Sequence, residues 1–338
     1  MHKAHFINYT IILVFLIPAL GLISACESQN SEVGPVQRES QDSSVAQVED
    51  GIDESSEPEP RLPETGPEFT RPRDTQPVET PDPNPELVAY YQEGVNYYEA
   101  GEYASAFNIF DEVIQLDPDF VQAYGARAAI FYEYGDFEAA ISDYSSAIDF
   151  EPVYDLYILR GHAYQASDDL ENAEADYTSA IEMGNEIPWP YSFRGNIRAE
   201  LGNADGAIED YTSAMDLSDE PVYLFYMQRG RVYYATGEYD SAMSDYISAI
   251  ELNDRVPELH QGLAGTLYML EDYQGAVNSY TSALELKPDD AFTLVNRGRA
   301  YIAMDELSLA EDDLTAALEI DPDDEEARRL LLMTTERS

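Results

Sequence analysis

The sequence predicts an all-α solenoid of stacked helix pairs. Three observations predict it: a small residue recurring at constant period, apolar residues at helical spacing around it, and turn residues between the segments. The small residue is Gly94, Ala128, Gly161, Gly195, Gly230, Ala264 and Gly298, at spacings of 34, 33, 34, 35, 34 and 34 residues. A period of this size marks units that cannot bury their apolar faces alone and must stack to do so.

The seven units run near residues 87–120, 121–153, 154–187, 188–222, 223–256, 257–290 and 291–324. In the third, Tyr157, Ile158, Gly161 and Tyr164 fall on one helical face, and Ala173, Tyr177, Ala180 and Ile181 fall on a second. Gly101, Gly135, Gly202 and Gly237 stand at the end of a first helix, where a left-handed residue closes the turn. Pro118, Pro152, Pro221, Pro257, Pro288 and Pro322 punctuate the units, since proline ends one helix and opens another. After the seventh unit, residues 325–338 carry Leu330, Leu331 and Leu332 with charged neighbours, as a C-terminal capping helix needs.

In units two, three, four, five and seven an arginine precedes the small residue: Arg127, Arg160, Arg194, Arg229 and Arg297. The same units carry Asp143, Asp176, Asp210, Asp245 and Asp313 on the second helix. Units one and six lack both, so an Arg–Asp pair joining the two helices of one unit is expected. Arg198 stands where other units carry an aromatic or apolar group, and either carries function or reaches solvent.

These residues resemble the tetratricopeptide repeat. Its leading aromatic is Tyr90, Tyr124, Tyr157, Tyr191 and Tyr226, with His260 and Leu294 departing. Its later alanine is Ala106, Ala140, Ala173, Ala207, Ala242, Ala276 and Ala310, and its next aromatic runs from Phe110 through Tyr280, with Leu314 in the last unit. The resemblance implies a right-handed superhelical solenoid of seven helix pairs plus a C-terminal cap, filling residues 85–338. It also implies a concave groove lined by first helices. Carried over position by position, the groove presents Tyr98, Tyr132, Tyr234 and Tyr268 near the ends of first helices. It presents His162, Asn196, Arg231 and Arg299 one turn earlier, with Trp189 and Phe292 where the fourth and seventh units begin. Packing between repeats is the competing role for each tyrosine. Some members of the family hold a C-terminal carboxylate through a Lys and Asn clamp, whose lysines this chain lacks.

Residues 1–25 read as an export signal: Lys3, an apolar run from Ile11 to Ile23, then Ser24 and Ala25. The apolar run falls short of the ~20 residues of a membrane span. Cys26 is the one cysteine of the chain, and the run ending in it resembles the lipobox of bacterial lipoproteins. That resemblance implies cleavage before Cys26, its diacylation, and a lipid anchor on the extracytoplasmic side of a membrane left unspecified. An ordinary secretory signal, or an uncleaved anchor that happens to contain a cysteine, is the alternative. Residues 26–84 follow as an acidic, Pro/Ser/Glu-rich stalk, too polar to offset the cost of ordering. A flexible chain of this length spans about 40 Å.

The net charge is −49, from 67 acidic and 18 basic residues. Nucleic acid is excluded as a partner, because binding it needs a basic face. A basic protein or peptide is the electrostatic expectation; a divalent-cation layer and adaptation to salt account equally for the charge. The acidic clusters at 116–119 and 321–326 lack the alternating ligands and glycine of a calcium loop, so no metal is expected. No phosphate loop, metal-spaced histidine pair or nucleophile elbow is present, so neither a cofactor nor catalysis is expected. Carboxylate pairs alone, of the kind that cleave sugars, are uninformative in so acidic a chain. The reading is a membrane-tethered scaffold that binds protein or peptide partners in its groove; a substrate-capture or chaperone-like subunit of an envelope or export machine is the alternative.

Overall fold

The computed structural model of the protein describes residues 84–184 and 186–337. The export signal, Cys26 and the stalk up to residue 83 lie outside the described residues. Among these, fifteen helices and no strand are found. They are α1 (Pro85–Glu99), α2 (Tyr103–Leu116), α3 (Val121–Glu133), α4 (Phe137–Phe150), α5 (Tyr154–Ala166) and α6 (Leu170–Met183). There follow α7 (Pro188–Glu200), α8 (Ala204–Leu217), α9 (Tyr223–Thr236), α10 (Tyr239–Leu252) and α11 (Pro257–Met269). The last are α12 (Tyr273–Leu286), α13 (Ala291–Ala303), α14 (Leu307–Ile320) and α15 (Glu325–Arg337). Odd-numbered helices are the first members of the pairs, and α15 is the cap.

Each pair closes on the small residue. A Cβ built on Gly161 would stand 2.7 Å from the Tyr177 ring, and one on Gly195 2.9 Å from Tyr211. At Gly94 the clash is with Phe110, again at 2.7 Å. These rings and the seven alanines from Ala106 to Ala310 are buried, and they form the core between layers. Each second helix packs on the first helix of the next pair. From α7 to α15 the first helices of successive pairs also approach one another, closer than the second helices do. That difference in spacing puts the first-helix layer on the inside of the curve.

The turn inside each pair needs one left-handed residue. Gly101, Gly135, Gly202 and Gly237 supply it with φ of 75, 75, 79 and 85°. The other three pairs reach the same geometry with Asp168, Glu271 and Asp305, at φ of 63 to 64°. Glycine is therefore convenient there and not obligatory. Asp136, Asp169, Asn203 and Asp272 then cap the second helix, accepting from the backbone N–H three residues on.

All five expected Arg–Asp pairs form, each through two hydrogen bonds of 2.7 to 3.0 Å. The geometry adds a third partner. The remaining guanidinium nitrogen reaches back to the preceding pair, meeting Asp111, Ser145, Thr178, Thr212 and Thr281 in turn. Aromatic rings of the same first helix lie beside it, as Tyr157 and Tyr164 lie beside Arg160. Arg198 does not reach free into solvent, its side chain being 20% exposed. It bonds Glu174 at 2.7 Å and Asp210 at 3.0 Å, an inter-pair brace.

The cap buries Leu330, half-buries Leu331 and leaves Leu332 64% exposed. Three consecutive leucines spread over about 200° of a helix, so they cannot share one face. The polar outer side expected of the cap thus carries one bare leucine.

Two stability outcomes follow. Replacing Arg160 by Met leaves Asp176, 6% exposed, buried without its partner and costs about 3–5 kcal/mol in urea unfolding. A double-mutant cycle with Asp176→Leu returns most of that cost; additive effects would contradict the pairing. Glu271→Gly relieves a left-handed glutamate and raises stability by about 1 kcal/mol.

Candidate groove on the first-helix layer

The inner face repeats two positions. The first, just after the small residue, reads Val95, Ala129, His162, Asn196, Arg231, Gly265 and Arg299. The second, one turn on, reads Tyr98, Tyr132, Gln165, Ala199, Tyr234, Tyr268 and Ile302.

The second-position tyrosines pack across their own turn, and Tyr234 also borders Gly265 of the following pair. Tyr98 lies on Tyr103 at 5.2 Å between ring centres, Tyr132 on Phe137 at 5.4 Å, Tyr234 on Tyr239 at 5.7 Å and Tyr268 on Tyr273 at 5.3 Å. Each ring is half-buried, so one flank serves the turn and the other faces the groove. Burial raises all four hydroxyl pKa values, which keeps the phenols protonated as hydrogen-bond donors. The Tyr98 hydroxyl is buried with no hydrogen-bond partner among the described residues.

At the first position the core reaches through. The buried Tyr177 ring passes Gly161 and its hydroxyl shares a 2.8 Å hydrogen bond with His162 Nδ1. The Tyr211 hydroxyl donates to Asn196 at 2.7 Å in the next pair. His162 also meets the edge of Phe193 at 4.7 Å, and burial lowers its pKa to about 4. Sequence reasoning missed these tyrosine hydroxyls as partners of the first position. The signal was available: a ring packed on Gly161 is long enough to present its hydroxyl beside the next residue.

The remaining candidates divide. Trp189 packs on Phe193 and Phe225, at 6.3 and 5.1 Å, and ties α7 to α9. Phe292 is 46% exposed. Arg231 bonds Gln228 Oε1 at 3.2 Å, while Arg299 bonds Asn296 at 3.1 Å and Glu326 of the cap at 3.0 Å. The groove is thus uneven in charge. Glu133 and Glu200, both with pKa values raised by partial desolvation, stand at the ends of α3 and α7, whereas Arg231 and Arg299 face the later half.

Among the described residues no group of three His, Cys, Asp or Glu side chains is placed to hold a metal ion. No described helix is long and apolar enough to cross a membrane.

Family models for the tetratricopeptide repeat match residues 91–154, 194–260 and 227–291, residues 154–183, and residues 267–332, together more than half of the chain. Tetratricopeptide repeat protein 13 of Homo sapiens is 29% identical over 137 residues, covering 39% of this chain and 16% of that protein. The DnaJ homolog subfamily C member 7 homolog of Dictyostelium discoideum is 27% identical over 135 residues, covering 38% and 24%. The matched stretch therefore spans about a quarter or less of these relatives. Among solved structures, the C-terminal part of a repeat protein from Cytophaga hutchinsonii superposes with a TM-score of 0.62 at 17% identity, covering 71% of this chain and 99% of that one.

The burial of His162 sets a pH dependence. Its pKa is about 4 in the folded protein against about 6.5 unfolded. The unfolded chain therefore takes up the proton first. The stability carried by the neutral ring is complete above pH 6.5 and falls as pH drops toward 4, by at most about 3 kcal/mol. His162→Asn, which copies the neighbouring Asn196, removes this difference between pH 7 and 4.5 in paired urea titrations. An unchanged slope in the variant would show that His162 is not the group responsible.

Proposed function

The chain belongs to the tetratricopeptide-repeat family, and from that premise we propose a scaffold that binds protein or peptide partners along the first-helix groove, held outside the cytoplasm by a lipid on Cys26. The observation that carries the binding reading is the inner face itself. Half-buried tyrosines, fixed by their own turns, alternate with Asn, His and Arg at constant intervals along a rigid layer. Rings of this kind supply contact area at low entropy cost, and the interleaved polar groups read a backbone or side chain. The role we read is binding and not turnover: the hydroxyl–imidazole pair of Tyr177 and His162 sits on a ring buried in the core.

The partner's basic residues face the earlier half, where Glu133 and Glu200 stand. With a net charge of −49, long-range attraction favours such a partner and raises its association rate. The lipid anchor rests on the sequence ending in Cys26, and the stalk after it gives the array reach from the surface.

A second reading is capture of extended chains for an envelope or export machine. It differs in kinetics: a scaffold holds one partner stably, while a capture subunit samples many chains briefly.

Cross-linking in intact cells tests both. The native chain is compared with Cys26→Ser and with a Tyr234→Ala, Arg231→Gln double variant. A defined partner retained by the native chain, lost with the groove changes and released from the membrane fraction with Cys26→Ser, is the expected result. Partners unaffected by the groove changes would move binding to the acidic outer surface.

A further inference from the structure

We propose that the step between the fifth and sixth pairs is a hinge, at which the array bends while its other steps hold their angle. This bending belongs to the array itself, whether or not the groove takes a partner. Seven pairs meet at six steps. At five of them a clasp arginine bonds the second helix of the preceding pair: Arg127, Arg160, Arg194, Arg229 and Arg297 reach Asp111, Ser145, Thr178, Thr212 and Thr281. At the step from α10 to α11 the corresponding residues are Ile247, Leu263 and Ser279, so the guanidinium network is missing there.

An apolar contact takes its place. Leu263 packs on the cluster of Met227, Tyr246, Ala249 and Leu259, which spans both pairs. A hydrogen-bonded clasp holds one relative orientation, because its bonds weaken steeply as their angles open. Apolar contact is non-directional and keeps its value while two surfaces slide. Leucine in place of arginine therefore conserves the strength of the step and gives up the angle that buried polar groups specify.

The first helix of the sixth pair is also shaped for movement. Tyr177 and Tyr211 press on the glycine of their own pair, 2.7 and 2.9 Å from a Cβ built there, whereas Tyr246 stands 3.6 Å from one on Gly230. The Tyr246 ring lies instead against α11, where a Cβ on Gly262 would run into it. Tyr246 is thus a knob of one pair seated in the next, on a helix surface that reads Gly262, Ala264 and Gly265 and has little to lock it. Two glycines in its interior also weaken α11 itself. Ile247, on the flank of the joint, is 42% exposed, so no neighbour closes over it.

The consequence is geometrical. The clasped pairs before the joint move as one segment, and the two pairs after it move with the cap as another. The inner face crosses the joint where a Cβ on Gly265 would stand 3.8 Å from Tyr234, so bending opens or closes that face while both segments stay folded.

Double electron–electron resonance on the full chain tests this, in a Cys26→Ser background with spin labels at exposed second-helix positions. Labels on Glu209→Cys and Asn278→Cys span the joint, while labels on Ala175→Cys and Ser244→Cys span the two clasped steps before it. The distance distribution across the joint is expected to be at least about twice as broad as that of the control pair. Ile247→Thr, Leu263→Arg and Ser279→Asp together install the clasp and narrow it to the control width. Thr212→Ile, Arg229→Leu and Asp245→Ser together remove the clasp one step earlier and broaden the control pair, with helical circular dichroism retained. Equal widths in the native chain overturn the proposal, as does a folded chain in which the installed clasp leaves the joint as broad as before. A control width unchanged by removal of its clasp would overturn it too, since the clasp would then not set the angle of a step.

Discussion

The array depends on a guanidinium that joins three helices at once. Each clasp arginine holds the aspartate of its own second helix through two bonds and gives its last nitrogen to the second helix of the preceding pair. One side chain therefore fixes both the crossing within a pair and the step between pairs. The enclosed carboxylates, 2 to 9% exposed, make the bond stronger than a surface pair and also make it conditional. Removing either partner leaves a buried charge, so the members must change together or not at all.

The sixth pair obeys that rule by abandoning the device whole. Where the other clasps set Arg and Asp against an oxygen of the preceding pair, this pair has Leu263 and Ser279, and the preceding pair offers Ile247. Leu263 packs into the apolar cluster of Met227, Tyr246 and Leu259, and no charge is buried without its counterpart. An apolar replacement of a buried ion pair is commonly neutral or stabilising, which explains why the array continues through this pair unbroken. The same pair carries Gly262 and Gly265 on its first helix, and a Cβ on Gly262 would stand 2.4 Å from the Tyr246 ring.

Much of this was legible in the sequence, for reasons that differ by residue. The small residue, the alanines and the aromatic on the second helix are set by steric fit at one fixed distance, and such positions repeat visibly. The Arg–Asp pairing was legible because both members are absent from the same two units. The third partner was not, since Asp111, Ser145 and Thr178 share only an oxygen at a given distance and not a residue type. The left-handed turn residues Asp168, Glu271 and Asp305 were hidden likewise, because the backbone tolerates them without demanding them. Trp189 suggested a ligand contact by its rarity, but its bulk is used between α7 and α9.

The groove and the core are one structure, and this limits what the groove can be. The rings of Tyr177 and Tyr211 are long enough to cross the layer at the glycine and put a hydroxyl on the far side. The residue following that glycine then decides whether the hydroxyl is spent or available. Histidine and asparagine spend it, as His162 and Asn196 do. Arginine adds charge beside it, and glycine leaves it open. A phenylalanine core would pack as well, as Phe110 does on Gly94, and would present nothing. Tyr177 and Tyr211 therefore shape the concave surface from inside the protein, which phenylalanine at those positions would not do.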